Sequence, residues 1–170
     1  FSGSPPVVDL VEGEINRSTT TTPLTLRDGS PHADSNDNLT GLTPPSVYNS
    51  ATKDVRVPLL QTATLSPGVY YFNNLVVDGT LVADTASGAV TIYLAGDLNS
   101  AASTVTGGIV NNGRVPWLLS IYGQGRQSIY LRSATALHAV VETPQGQLTV
   151  GQVMYGKAAT DAVNLTGVFH

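Results

Sequence analysis

Carboxylates and imidazoles are the groups in this sequence with the most chemical capacity, and they are thinly spread. From residue 65 onward the acids are Asp78, Asp84, Asp97, Glu142 and Asp161. A polysaccharide lyase needs carboxylates gathered around calcium with a basic residue on the same face, and a hydrolase needs two opposed carboxyl groups. Asp78 stands before Gly79 and Asp97 follows Gly96, which is turn chemistry. Their spacing, about one structural repeat, allows the two to sit near one another. His32, His138 and His170 are far apart and lack HExxH or HxH spacing. His138, in "ALHAVVE", reads as an outward or hydrogen-bonded strand residue. "SPHAD" sets Ser30, His32 and Asp34 two apart, whereas a catalytic triad draws its members from separate elements of a stiff scaffold. "DSNDN", residues 34–38, is rich in oxygen ligands but lacks the Gly and distal Glu of an EF-hand loop, and reads as a polar surface loop. There is no GxSxG and no phosphate-cradling glycine motif. The chain has no Cys, which removes thiol catalysis, disulfides and Cys-based zinc sites. No catalytic residue, cofactor site or metal site is assigned.

A binding site is a different matter. In "AVTIYLA" strict alternation sets Val90, Ile92 and Leu94 on one side and Thr91, Tyr93 and Ala95 on the other. By the same rule Tyr93, Tyr122 and Tyr130 stand opposite Ile92, Ile121 and Ile129 and point outward. Stacked strands would bring the three rings into a ladder. Such a ladder is a carbohydrate- or surface-contacting patch, since Tyr offers a flat ring and a hydroxyl, or it packs beneath the N-terminal part of the chain. Trp117, on the same side as Leu119 and Ile121, is expected in the core.

The elements that must position these residues are short. From Leu65 onward, strand-like beads recur at 69–72, 75–77, 80–83, 89–94, 109–111, 117–122, 128–131, 137–141, 147–150, 153–156 and 162–165. Gly, Asn, Asp or Pro punctuates each. No window carries a helical apolar stripe for more than a turn. Residues 1–64 have a different texture, rich in Pro, Thr, Ser, Asn and Asp. They read as an extended Pro/Thr-rich arm with short strands at 7–11, 24–26 and 55–60, laid over a body at 65–170. A sandwich favours longer strands joined by two-residue hairpins. Beads of three to five residues with one- or two-residue corners ("VVDGTLVAD", "QGQLTVGQ") suit an all-β, right-handed parallel β-helix, a β-solenoid, whose core is a column of aliphatic ladders.

Composition restricts the partners. Charged residues are 12% of the chain, about half the usual share, so Ser, Thr, Asn, Gln and Gly cover the surface. Net charge is −4 and the eight Lys and Arg are scattered, which leaves no basic stripe for nucleic acid. No apolar run is long enough to cross a bilayer, so no membrane contact is expected. The chain starts at Phe1 without Met and stops at "GVFH", and reads as a piece of a longer protein.

The order of the beads resembles a bacterial β-solenoid domain of large pilin-like, pilus-assembly-associated surface proteins. The matching segments are "LSPGVYYFNNLVVDGTL", "GAVTIYLAGDLNSAASTVTGGIVNN", "PWLLSIYGQGRQSIYL", "ALHAVVETPQGQLTVG" and "VMYGKAATDAVNLTGVFH". They follow the family's Pro-Gly-x-Tyr-Tyr-Phe opening, its Val-Thr-Ile-Tyr and Leu-x-Ile-Tyr coils, its Leu-Thr-Val coil and its Phe-His close. One departure is "AVVETPQG", where Glu142 and Thr143 replace a small, apolar run before Pro144. The resemblance implies a structural or adhesive domain at the bacterial cell surface, extracellular, without catalysis or cofactor. Its partners would be other pilus or surface-protein subunits, with surface glycans as a further class. The opening is also similar to the ice-binding β-solenoid family, whose members carry ranks of Thr-x-Thr on a flat face. Here Thr80, Thr91, Thr104, Thr106, Thr149 and Thr166 are dispersed, with Thr104 and Thr106 as such a pair. Ice or glycan binding through a flat face is the alternative expectation, and a polysaccharide-processing enzyme the second.

Overall fold

A computed structural model describes residues 25–101, 107–133 and 135–170. The described residues form β1 (Leu42–Thr43), β2 (Tyr48–Asn49), β3 (Asp54–Val57), β4 (Thr62–Leu65), β5 (Gly68–Phe72), β6 (Leu75–Val77) and β7 (Thr80–Ala83). There follow β8 (Val90–Leu94), β9 (Leu98–Ala101), β10 (Gly108–Asn111), β11 (Leu119–Gly123), β12 (Ser128–Arg132), β13 (Leu137–Val150) and β14 (Met154–Leu165). Three single 3-10 turns, Ser30–His32, Pro45–Val47 and Pro116–Leu118, are the helical pieces among the described residues. The fold is all-β.

The strands form a four-stranded sheet, ordered β1-β4-β7-β10, and a curled ten-stranded sheet that includes both long strands. Pairing is parallel except where β1 meets β4 and β2 meets β3. One ladder runs through β5, β8, β11, the first half of β13 and the first half of β14. A second runs through β3, β6, β9, β12 and the second halves of β13 and β14. The third is β4, β7 and β10. Because side chains alternate across a strand, in-register pairing stacks like on like. Tyr70, Ile92, Ile121 and Val141 form one buried column, and Val55, Leu75, Leu98, Ile129 and Leu148 another. These columns are the core.

Residues 42–65 add strands to this body. β3 and β4 pair in parallel with β6 and β7, and Val55, Val57, Ala63 and Leu65 are buried in the common core. The strand expected at 7–11 lies outside the described residues, as does Leu24, while Thr25 and Leu26 join no strand. Residues 25–41 cross the outside of the first ladder as a strap. The Asp37 carboxylate accepts from Val69 N–H and Asp37 N–H donates to the Val69 carbonyl, each at 2.8 Å, and Asn38 accepts from Tyr71 N–H at 3.0 Å and donates to its carbonyl at 2.7 Å. Side chains thus satisfy the edge of β5 that a further strand would otherwise occupy. "DSNDN" lies at the surface, with the Asp34 side chain 96% exposed, while its last residue, Asn38, is 1% exposed and caps the edge of β5.

Trp117 corrects its expectation. It sits in the Pro116–Leu118 turn and is 73% exposed. Strand alternation begins at Leu119, so extrapolating it two residues back crosses the turn and assigns the wrong side.

Candidate functional site

The outer positions of the first ladder carry the site. Tyr71 is in register with Tyr93, Tyr93 with Tyr122, and Tyr122 with Glu142. The Tyr93 and Tyr122 rings stand 5.4 Å apart, tilted by 41°. Tyr130 lies on the second ladder instead, between Asn99 and Thr149. Two of the three expected tyrosines therefore meet, Tyr71 joins them, and Tyr130 does not. Alternation placed all of them outward; which ladder each occupies depends on how the chain turns between strands.

The strap lies along this aromatic rail. His32 stacks on Tyr93 at 5.0 Å and 15°. The Arg27 guanidinium lies 5.7 Å from the Tyr122 ring centre, and the Lys53 ammonium 5.8 Å from that of Tyr71, within cation–π range. Gln124 donates to the Arg27 carbonyl at 2.6 Å and accepts from Gly29 N–H. Lys53 donates to the Ala33 carbonyl at 2.6 Å and the Asp34 carboxylate at 3.0 Å. Burial first, then the neighbouring Tyr122 hydroxyl, pushes the Tyr93 phenol up, against the opposing pull of Arg27. The ring faces are thus partly engaged by the protein's own chain.

At the head of the rail Glu142 closes the row. Its side chain is 9% exposed and bridges Lys157 at 2.7 Å and Arg27 at 3.3 Å. Burial opposes its ionisation, but the hydrogen bonds from Lys157 and Arg27 outweigh it and leave the carboxyl below the ordinary range. Glu142 thereby ties the strap to β14. Thr143, next in sequence, is fully buried, and its hydroxyl has no hydrogen-bond partner among the described residues.

The remaining acids disperse. Asp78 pairs with Arg56 at 2.9 Å, Asp84 accepts from Asn112 at 2.7 Å, and Asp97 accepts from Ser128 N–H at 2.8 Å. Asp78 follows β6 while Asp97 precedes its neighbour β9, so the two stand at opposite ends of that ladder step. Asp161 borders an open polar groove of about 750 Å³ with Arg126, Gln145 and Gln147. Among the described residues no three His, Asp or Glu converge as metal ligands. Ser30, His32 and Asp34 serve separate neighbours, Asp28, Tyr93 and Lys53.

Two histidines distant in sequence reach one tyrosine. His138 and His170 flank Tyr155, with ring centres 4.8 and 4.7 Å away and planes within 14°. Their separation in sequence hid what pairing of β13 with β14 and the return at Phe169 bring about. Burial, then the Arg114 charge, pulls the His138 imidazole below its ordinary value. Thr62 and Thr64 form a further Thr-x-Thr pair, but the positions in register with them are Thr80 and Val82, then Gly108 and Val110. The rank does not continue. Thr104 and Thr106 lie outside the described residues.

No protein-family model, curated protein or solved structure matches the chain.

Proposed function

We propose that the three ladders are the faces of a right-handed parallel β-solenoid, and that this column is a structural or adhesive domain of a bacterial pilus-associated or cell-surface protein. The observation that carries the reading is the in-register parallel stacking of short strands over continuous aliphatic columns. The turns β5–β6–β7 and β8–β9–β10 each add one strand to every ladder and later turns extend the first two, and crossovers between parallel strands are right-handed in about 98% of cases. Such a column resists bending and proteolysis because nine of its fourteen described strands are paired on both sides. Its outer faces are neutral and polar, which suits display at a surface and lateral contact with subunits of the same assembly. The ordered family-like segments quoted above support the pilus assignment.

A glycan-binding variant of this role rests on the Tyr71, Tyr93 and Tyr122 rail. A glycan array and a thermal-hysteresis assay on the purified chain test it, with Tyr93→Ala/Tyr122→Ala as comparator. Glycan binding lost in the double variant, with an unchanged circular dichroism spectrum, places the contact on the rail. Retained adhesion in that variant removes the rail from the reading. Ice-growth inhibition by the parent chain would replace the adhesive role by an ice-binding one.

A further inference from the structure

The two ends of the stack differ. At one end each ladder is closed: β2 pairs antiparallel to β3, β1 antiparallel to β4, and Asp37 with Asn38 satisfies the edge of β5. Leu42 and Val47 are buried there. At the other end β14 pairs with β13, and the Val168–His170 backbone covers Met154 and Gly156. Among the described residues nothing pairs with the far edge of 158–165. Val163 and Leu165 continue the buried columns of Leu148 and Val150, yet are 54% and 47% exposed, and Val168 is 51% exposed. Stacked repeats need their ends covered. Natural edges are otherwise blunted by Lys, Pro or a bulge; 158–165 contains neither Lys nor Pro, and the register break opposite Thr143–Gln147 leaves 162–165 in continuous pairing.

The geometry points to a second copy of this chain as the occupant, docked end to end through antiparallel pairing of β14 with its mate about a two-fold axis. The opposite end is capped by antiparallel strands and the strap, which disfavours head-to-tail addition; a two-fold contact through the same surface is self-complementary and stops at two. The sequence of the edge fits. Centring the pair on Asn164 sets Val163 opposite Leu165 of the second copy and Leu165 opposite its Val163, so the period-two phase is kept and the aliphatic column runs on through the junction. Asn164 meets its own mate on the polar outer face, where amide can bond amide. The charge fits as well: Asp161, the one charged residue in 158–165, falls opposite Gly167 and not opposite its counterpart, so no like charges face each other.

The full 170-residue chain tests this by sedimentation equilibrium at micromolar concentrations and by cysteine cross-linking. The chain has no Cys of its own, so Asn164→Cys introduces a single thiol at an exposed, outward position. Directly opposed antiparallel residues have Cα atoms about 4.5–5.5 Å apart, within disulfide reach. The expected results are a dimer, efficient Asn164→Cys disulfide formation under mild oxidation, and none for Asn99→Cys, which lies three ladder steps away on the same outer face. Val163→Asp is expected to weaken the dimer at least ~10-fold, a change of about 1.4 kcal/mol, with the monomer's spectrum intact. A monomer at all concentrations overturns the proposal, including one that dimerises only after residues 1–24 are deleted. So does a dimer in which Asn164→Cys fails to cross-link. The outcome is independent of whether the chain binds glycans or ice.

Discussion

Glu142 shows how much one ionisable side chain can organise. It joins the strap through Arg27 and β14 through Lys157, and both cations are themselves well exposed, so water screens each contact. Glu142→Gln is expected to cost about 1 kcal/mol at neutral pH, measured by urea denaturation. Since its folded carboxyl is held below the ordinary value of 4.5, its contribution is present above that pH and is lost as pH falls through the folded value. The Gln variant should therefore converge on the parent in acid; a gap that persists well below pH 4 would sink this account. Tyr70 gives the opposite edge of the profile. Its ring is fully buried, its hydroxyl donates to the Ser66 carbonyl at 2.7 Å, and burial, with Asp37 adding to it, pushes the phenol from 10.0 to about 12. The fold needs the neutral phenol, so this contribution is intact below pH 10 and lost as pH rises toward 12. Tyrosinate absorbance should lose its latest-titrating component in Tyr70→Phe, and that variant should be about 1 kcal/mol less stable at pH 7.

Elements here are stabilised at their edges as much as along their faces. The Asn38 side chain makes three hydrogen bonds from a buried position, to both backbone groups of Tyr71 and to the Tyr48 hydroxyl at 3.0 Å. Asn38→Ala leaves those buried groups without partners and is expected to cost about 2–3 kcal/mol. Hydrogen exchange should then show β5 amides losing protection before those of β11; uniform loss would mean the cap is not local. β14 depends on a glycine. Gly156 has φ +138°, and a Cβ there would collide with the Ala139 carbonyl oxygen. Gly156→Ala is expected to destabilise by about 2 kcal/mol or more, loosening the stack of Tyr155 between His138 and His170. Near-ultraviolet circular dichroism reads that loosening directly, and an unchanged spectrum with unchanged stability would count against the strain.

At the scale of the molecule, the ladders make the core a continuous column, so damage in the middle should propagate to both sides. Ile121 is fully buried between Ile92 and Val141. Ile121→Ala is expected to cost about 2–5 kcal/mol by lost burial plus the cavity left behind. Val163→Ala removes a side chain from the same kind of position at the open end, where it is 54% exposed, and should cost well under 1 kcal/mol in the monomer. A dimer joined through β14 would raise that second figure, so the contrast between the two variants depends on protein concentration in a way that denaturation at two concentrations detects.

Strand content was legible because alternation and turn residues are local: β6 and β7 have the ends their pattern indicates, and β5, β8, β10 and β12 differ by a single residue. β9, "LNSA", escaped because Leu98 is its one large apolar residue and its buried Ser100 looks like a loop residue. The outward pointing of Tyr93 and Tyr122 was equally legible. What the chain order could not settle is which strands become neighbours, since corners of different length rotate the chain onto one ladder or another without any periodic signal. That separation put Tyr130 off the rail and Tyr71 on it, brought His138 and His170 to one tyrosine, and set Glu142 between two cations. Side-chain direction follows from the backbone's two-residue period; side-chain company follows from pairing between strands about fifteen to thirty residues apart, which only the assembled structure decides.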